Sequence, residues 1–129
     1  AGAKESLAWS PDGAHFAYVG NPDPDDVWGT NNERLMVLPA GGAEAARDLT
    51  GHADLCLGYQ TLSDVHATGG NTLVWNADGS ALFFPVSAEG DTRLCFVGLG
   101  GGDPVPLSPL KQEMGGFDIT PDGRAAVVL

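Results

Sequence analysis

The chain has 129 residues, of which 43% are hydrophobic, so it can form the apolar core of one ordinary domain. Six basic residues against 17 acidic ones give a net charge of −11, which argues against binding to nucleic acids or to anionic membrane surfaces. The sequence contains no run of about 18 apolar residues, which a membrane-spanning helix would need. No apolar segment follows the N-terminus, as it would in a signal peptide.

Three segments share one pattern, in which an apolar run, an Asp-Gly turn and a second apolar run follow one another. Asp can bond its own backbone in such a turn, and Gly accepts a positive φ. The second run of each segment is rich in residues that favour strands. The pattern therefore predicts β-hairpins at residues 7–19, 73–84 and 117–128.

Two further strands are predicted after each of the first two hairpins. They lie at residues 34–39 and 46–50, and again at residues 93–97 and 105–108. Pro106 suits an outer edge strand, because proline cannot donate a hydrogen bond to a central ladder. Each of these two repeats thus reads as a four-stranded antiparallel sheet.

The spacing of the turns indicates the architecture. Asp78 and Asp122 lie 44 residues apart, whereas Asp12 and Asp78 lie 66 apart, 22 more. A period of about 40–50 residues with several strands per repeat is typical of β-propeller blades. We therefore predict an all-β partial propeller, with two four-stranded antiparallel blades (residues 1–50 and 73–110), an inter-blade insertion (51–72) and a truncated third blade (111–129). Because propellers close with more blades, we interpret the chain as a piece of a longer protein.

Two loops are longer than the connections that a four-stranded blade needs, and long loops often carry function. The first, residues 21–32, contains Asp23, Asp25, Asp26 and Trp28, and the second contains His66. We take these five residues as a candidate domain-interface or substrate-facing set. The acidic spacing resembles the start of a calcium loop, but later positions lack the required Gly and Glu, so we predict no metal site.

An aromatic residue in a long polar loop usually packs against something. For Trp28 that partner is either its own blade, which the ordinary burial tendency of Trp favours, or another domain or a ligand. Cys56 and Cys95 lie among apolar neighbours and read as small buried hydrophobes, although sequence leaves a bridge between them open.

The chain lacks the motifs that catalysis would need. No serine stands in the G-x-S-x-G context of a nucleophile elbow, and no P-loop or G-x-G-x-x-G occurs. Ser10 lies in the first turn, where we expect its hydroxyl to bond the backbone. Acidic pairs on turns are weak evidence for glycosidase chemistry. We expect no catalytic residue and no cofactor in this chain.

Two turns carry a family resemblance. Residues 9–13, Trp-Ser-Pro-Asp-Gly, and residues 120–123, Thr-Pro-Asp-Gly, are similar to the signature of Tol-type and prolyl-oligopeptidase-type propellers, whereas residues 76–79 have Asn-Ala in place of Ser-Pro. Segments in the order 16–20, 23–28, 34–37, 41–42 and 49–50 resemble the N-terminal propeller of acylaminoacyl-peptidase-like members of the prolyl oligopeptidase family.

The resemblance implies a division of labour. In that family the propeller covers an α/β-hydrolase domain, which holds the catalytic triad, and restricts entry to short or flexible peptides. The implied partners are therefore the hydrolase domain and remaining blades of a parent serine peptidase, together with its peptide substrate. The Glu pair with which some dipeptidyl members hold the substrate amine has no Glu-Glu counterpart here.

Two other interpretations stay open. One is a Tol-type periplasmic binding or scaffold propeller with a protein partner, whereas the peptidase interpretation implies a cytoplasmic protein. The other is assembly with itself, because blades cut from a propeller leave unpaired strand edges that seek partners.

Overall fold

The computed structural model describes residues 4–26, 28–59, 72–109, 113–120 and 124–128. Within these ranges the ordered elements are all β-strands, as the composition predicts. They are β1 (Lys4–Trp9), β2 (His15–Gly20), β3 (Arg34–Pro39), β4 (Arg47–Asp48), β5 (Cys56–Leu57), β6 (Val74–Trp75), β7 (Ala81–Ala88), β8 (Asp91–Gly98), β9 (Val105–Pro106), β10 (Gly116–Ile119) and β11 (Ala125–Val128).

The first sheet is an antiparallel meander of β1, β2, β3 and β4, and we call it blade one. Side chains alternate between its two faces, because successive residues of a strand point to opposite sides. Ala17 and Val19 are buried on one face, and Phe16 and Tyr18 lie on the other. In the β2–β3 register, Phe16 pairs with Leu38, so the alternation continues across the sheet.

The second sheet, blade two, has the order β5-β7-β8-β9, with β6 also paired to β7. Its innermost strand is thus built from two pieces, since Trp75 pairs with Leu82 and Leu57 pairs with Val86 on the same edge of β7. The sequence assigns β5 to an inter-blade insertion. The structure instead places it in blade two, because its two residues supply the ladder partners that β6 is too short to provide.

The third predicted hairpin is formed by β10 and β11, which pair from Gly116↔Val128 to Ile119↔Ala125. The predicted β-hairpins, third strands and short outer strands are therefore all present in the described ranges. Pro106 lies in the outermost strand β9, as predicted from its missing N–H.

The Asp-Gly turns close the first two hairpins in the same way despite their different sequences. The main-chain N–H of Ser10 donates to the carbonyl of His15 (2.9 Å), and that of Asn76 donates to Ala81 (3.0 Å). In both turns Gly follows Asp with a positive φ, +70° at Gly13 and +72° in the second turn, which residues with a side chain rarely adopt. The Asn-Ala replacement in the second repeat therefore leaves the turn intact.

The side chains of these turns are chemical substitutes for each other. The hydroxyl of Ser10 accepts the N–H of His15 at 2.9 Å, as the sequence predicts, and the Oδ1 of Asn76 accepts the N–H of Ala81 at 2.9 Å. The Oδ1 of Asp12 likewise accepts the N–H two residues on (2.9 Å). An amide oxygen can thus replace a hydroxyl oxygen at the first turn position.

The sheets stack face to face around two apolar clusters. The larger joins the two blades, with Ala17, Val19 and Leu35 of blade one packed against Leu82 and Phe84 of blade two. The face of blade one that carries Ala17, Val19 and Leu35 is called its trailing face. The face of blade two that carries Leu82 and Phe84 is called its leading face, and the equivalent faces of the other blade take the same names. The smaller cluster joins the trailing face of blade two to the third hairpin through Phe83, Leu94, Met114 and Phe117.

Repetition of this leading-to-trailing contact is the packing of a propeller, and the fold is a partial β-propeller, as predicted. No helix among the described residues is long and apolar enough to cross a membrane.

Candidate functional site

The loop at residues 21–32 is organised by one carboxylate. The Oδ1 of Asp26 accepts hydrogen bonds from the N–H and the hydroxyl of Thr30, both at 2.9 Å. Its Oδ2 accepts the N–H of Asn31 at 2.7 Å and the side-chain amide of Asn21 at 2.8 Å. These four donors favour the charged form, so the pKa of Asp26 lies well below its ordinary value, chiefly through the N–H groups of Thr30 and Asn31.

The first half of the loop is a chain of short side-chain turns. The Oδ1 of Asn21 accepts the N–H of Asp23, and the Oδ1 of Asp23 accepts the N–H of Asp25, each at 2.9 Å. Asx turns of this kind fix the backbone without a ligand. Across the described ranges, no three His, Cys, Asp or Glu side chains lie close enough together to hold a metal ion.

Trp28 lies in this loop with 88% of its surface exposed. Packing on its own blade, the interpretation that the burial tendency of Trp favours, is therefore wrong. The carboxylate of Asp26 closes a turn by accepting hydrogen bonds from Thr30 and Asn31, and Trp28 lies within this turn with its side chain exposed. The loop presents a large aromatic side chain on an ordered, acidic base.

A second contact ties this loop to the connection between the blades. The side-chain amide of Asn32 donates to Asp54 at 2.8 Å, and the guanidinium of Arg34 donates to the carbonyl of Ala53 at 3.0 Å. Asp23, Asp25, Asp26 and Trp28 thus share one loop. His66, the fifth candidate, lies outside the described residues.

The other two histidines have structural neighbours. The ring of His15 lies 6.4 Å from that of Trp75, between centroids, and the Nε2 of His52 lies 3.0 Å from the Oδ1 of Asp103. The second pair is exposed and links the end of blade one to a turn of blade two. Both contacts join the two blades.

The structure also brings together two glutamates that the sequence analysis did not connect. Glu33 precedes β3, and its carboxyl group is hydrogen-bonded to that of Glu5 in β1. Burial, the charge of Glu5 and this hydrogen bond all raise the pKa of Glu33. Its Oε2 is buried and has no hydrogen-bond partner. Glu33 therefore holds its proton to higher pH than an isolated glutamate does.

A pocket of about 290 Å³ lies beside this pair, between β1 and the divided inner strand of blade two. Glu5, Ser6, Leu57, Tyr59 and Phe84 contribute to its wall. Ser6 has a positive φ of 56°, and the β1–β2 register shifts between Glu5 and Ala8. A bulge of this kind re-aims side chains, and the sequence carries no spacing signal for it.

The thiols do not form a bridge. Cys56 and Cys95 are both free, and Cys95 is buried as its apolar neighbours predict. Burial raises the pKa of Cys95 to about 11 and also raises that of Cys56, which lies near the negative charge of Glu33. A thiol with a raised pKa is a poor nucleophile at neutral pH.

Comparison with solved structures gives the same fold in much longer proteins. A TolB-type protein from Agrobacterium tumefaciens superposes with a TM-score of 0.61 and 19% identity, over 92% of this chain and 35% of its own. The ligand-free isopeptidase AtxE2 superposes with a TM-score of 0.61 and 20% identity, over 94% of this chain and 20% of its own.

At this level of identity the likeness establishes the fold and leaves function to the site. No protein-family model matches the chain. No curated protein sequence matches it either. The chain spans about a third and a fifth of the two solved structures, and its fold agrees with the propeller that the repeat predicts.

Proposed function

We propose that this chain is a non-catalytic part of a substrate-gating β-propeller in a cytoplasmic serine peptidase of the prolyl oligopeptidase family, of the acylaminoacyl type. The peptidase part of the proposal is supported by the turn signature at residues 9–13 and 120–123. The similarity in fold to an isopeptidase is compatible with it. In this role the chain supplies a wall and a docking surface, and the hydrolase domain of the parent protein supplies the chemistry.

One observation carries the docking role, the 88% exposure of Trp28 on a loop fixed by Asp26. Aromatic side chains that are held rigidly in the open are typical anchors of protein interfaces, because little conformational entropy is lost when they are buried. In the proposed peptidase, the loop at residues 21–32 contacts the hydrolase domain or the entering peptide, and Trp28 is its anchor.

A second candidate function is a Tol-type binding propeller in the periplasm. It is favoured by the superposition on a TolB-type protein, with the same TM-score of 0.61 as the isopeptidase. The net charge of −11 would then attract a basic protein partner. Under this alternative, Trp28 anchors that partner instead of a hydrolase domain.

An experiment on the parent protein distinguishes the two candidate functions. The protein that carries this chain is purified from its source, mapped by peptide mass analysis and assayed with a chromogenic acyl-amino-acid substrate. The peptidase proposal predicts peptides that contain a G-x-S-x-G serine, together with cleavage of the substrate. A parent without such a serine and without cleavage contradicts it and favours the Tol-type propeller.

The gating role has a sharper test in an active parent. Trp28→Ala is expected to raise kcat/KM for a long peptide several-fold while leaving that for a short peptide unchanged, because the chemistry lies elsewhere. Val105→Ala is the matched control, since Val105 is also exposed but lies on the outer strand β9. An unchanged ratio of long to short peptide cleavage would remove Trp28 from the gate.

A further inference from the structure

The pocket beside the two glutamates lies in the contact between the blades. Val19 contributes to its wall from blade one, and Leu57 and Phe84 contribute from blade two. These three side chains are buried in the apolar cluster that joins the blades, so this part of the wall is apolar. Glu5, which also contributes to the wall, is exposed. Solvent and small solutes therefore reach the pocket from the side of Glu5.

Two carboxyl groups give this apolar pocket a polar end. Glu5 pairs with Val19 across β1 and β2, and Glu33 is hydrogen-bonded to Glu5. The Oε2 of Glu33 is buried and has no hydrogen-bond partner among the described residues. A buried carboxyl oxygen without a donor destabilises the fold, because its lost hydration is not replaced. A ligand that supplies a donor would remove this penalty.

The charge of Glu33 is not balanced by the groups around it. Burial, the charge of the neighbouring carboxylate and the hydrogen bond to it all act on the pKa of Glu33, and all of them raise it. The guanidinium that follows in the sequence, that of Arg34, donates to the carbonyl of Ala53 at 3.0 Å. Glu33 thus has a negative neighbour and no positive group among those that set its pKa, so the pair attracts a cation from outside.

The backbone of the pocket wall is strained at Ser6. Its φ of 56° lies in the left-handed region, which residues with a side chain rarely adopt. Ser6 contributes to the wall directly, and the shift in the β1–β2 register lies between Glu5 and Ala8. Strained residues of this kind cluster at ligand sites, where the surrounding structure holds them in place. This observation points to the same pocket independently of the two carboxyl groups.

The composition of the wall favours an organic cation over a metal ion. Ca²⁺ takes about 6–8 oxygen ligands, which two carboxyl groups beside aliphatic side chains do not supply. Tyr59 and Phe84 add two aromatic rings to the wall, and aromatic rings attract ammonium groups. Burial raises the pKa of Tyr59 to about 12, so its phenol is neutral and the carboxyl pair carries the negative charge.

We propose that this pocket binds a protonated primary amine on a short apolar body. The ammonium group donates to the carboxyl groups of Glu5 and Glu33, and the body lies against Leu57 and Phe84. Where Glu33 is protonated, its proton leaves to solvent on binding, and the ammonium hydrogens take its place. A volume of about 290 Å³ limits the occupant to a small amine or to one amine-bearing side chain of a peptide. The site depends on neither of the two candidate functions of the parent protein.

The test compares butylammonium with 1-butanol, its neutral counterpart. The unaltered chain, labelled with ¹⁵N, is titrated with each probe at pH 7, and the amide shifts of Ser6, Leu57 and Gly58 are followed. We expect saturable shifts with butylammonium and binding of butanol about tenfold weaker, because butanol makes no charge-assisted hydrogen bond. Nα-acetyl-lysine amide separates the two sources of the amine. Tighter binding than that of butylammonium assigns the site to a peptide side chain, and weaker binding assigns it to a free amine.

Glu33→Gln removes one carboxylate and is expected to weaken butylammonium binding about tenfold. Glu44→Gln is the matched control, since it changes the net charge equally at an exposed position and should leave the affinity unchanged. In weakly buffered solution at pH 4.5, butylammonium should release protons from the unaltered chain and from Glu44→Gln, and none from Glu33→Gln.

The proposal is overturned if the shifts rise without saturating, or if butanol binds as tightly as butylammonium. It is equally overturned if Glu33→Gln and Glu44→Gln bind butylammonium alike. The amide spectrum of each variant shows whether it is folded. The two probes and the proton release are measured on the unaltered chain, so they decide the question even if Glu33→Gln does not fold.

Discussion

Blade one and blade two present the same Leu-x-Trp pair, Leu7 and Trp9 in the first and Leu73 and Trp75 in the second, in opposite environments. Trp75 is buried and hydrogen-bonded to the main chain of blade one, whereas Trp9 is largely exposed and makes an edge-to-face contact with a ring of its own sheet. The comparison teaches that the burial of a propeller residue is decided by the neighbouring blade. A blade buries its faces by stacking, because one sheet alone cannot cover them.

The largest expected difference comes from truncating the two indoles. Trp75→Ala should lower the free energy of unfolding by about 3–5 kcal/mol, because it opens a cavity in the main core. Trp9→Ala removes an exposed ring and one aromatic contact, and it should cost about 1 kcal/mol. Urea titration of the two variants at equal protein concentration measures both values. Equal costs would mean that the two blades do not stack as described.

The turns give the next comparison. Asn76→Ala removes the acceptor for the N–H of Ala81 and should cost about 1 kcal/mol. Asn76→Ser should cost less than half of that, since a serine hydroxyl holds the equivalent N–H in the first turn. Thermal unfolding of both variants in one buffer decides the matter. A serine variant as unstable as the alanine variant would show that the turns are not chemical substitutes.

A smaller effect, a gain in stability instead of a loss, is expected when Glu33 is substituted. Its folded-state pKa is raised above 4.5, so the folded state loses stability when this carboxyl ionises beside Glu5. Glu33→Gln should therefore raise the melting temperature at pH 7. The gain should disappear as the pH falls below 4.5, where the carboxyl is protonated in both states.

The matched control for this titration is Glu44→Gln, on the exposed surface of the first sheet's final turn. It should change the melting temperature little across the same pH range. A gain at Glu33 that persists unchanged at pH 3 would exclude the carboxyl pair as its cause.

The smallest effect on global stability is expected in the loop of Trp28. Asp26→Ala removes four hydrogen bonds, so chymotryptic cleavage after Trp28 should accelerate several-fold while the urea midpoint hardly changes. Because the pKa of Asp26 is lowered in the folded state, its contribution to the stability of the loop is present above the unfolded-state pKa of 3.8. This contribution is lost as the pH falls through the folded-state pKa.

Asp25→Ala is the control for this loop, because the contact of Asp25 there is made by its main-chain N–H. It should leave the cleavage rate unchanged. Equal acceleration in both variants would mean that charge, and not the bonds of Asp26, holds the loop.

Much of the fold could be predicted because local signals repeat. The Asp-Gly turns, the alternation around Ala17 and Val19 and the proline of β9 each specify a strand or turn from a few neighbouring residues. The strand β5 could not be predicted in this way, since its two residues are strand-forming only where β7 offers free ladder positions.

The site was only partly predictable for a related reason. The sequence identified the loop with Asp26 and Trp28 from its composition. It favoured burial of Trp28 because the average tendency of Trp takes no account of the local turn in which Trp28 lies, which Asp26 closes with Asn31. The Glu5–Glu33 contact lies next to a bulge at Ser6, which has a φ of 56°, and residues 28 positions apart carry no local sign of this contact.

The stacking of blades is tested most directly by ¹⁹F NMR of the otherwise unaltered chain labelled with 5-fluorotryptophan. Its three tryptophans give three resonances, assigned with single Trp→Phe variants, and the shift between H₂O and D₂O reports the solvent exposure of each indole. We predict large shifts for Trp28 and Trp9 and almost none for Trp75. A solvent shift at Trp75 as large as that at Trp9 would contradict the stacking of blade one on blade two.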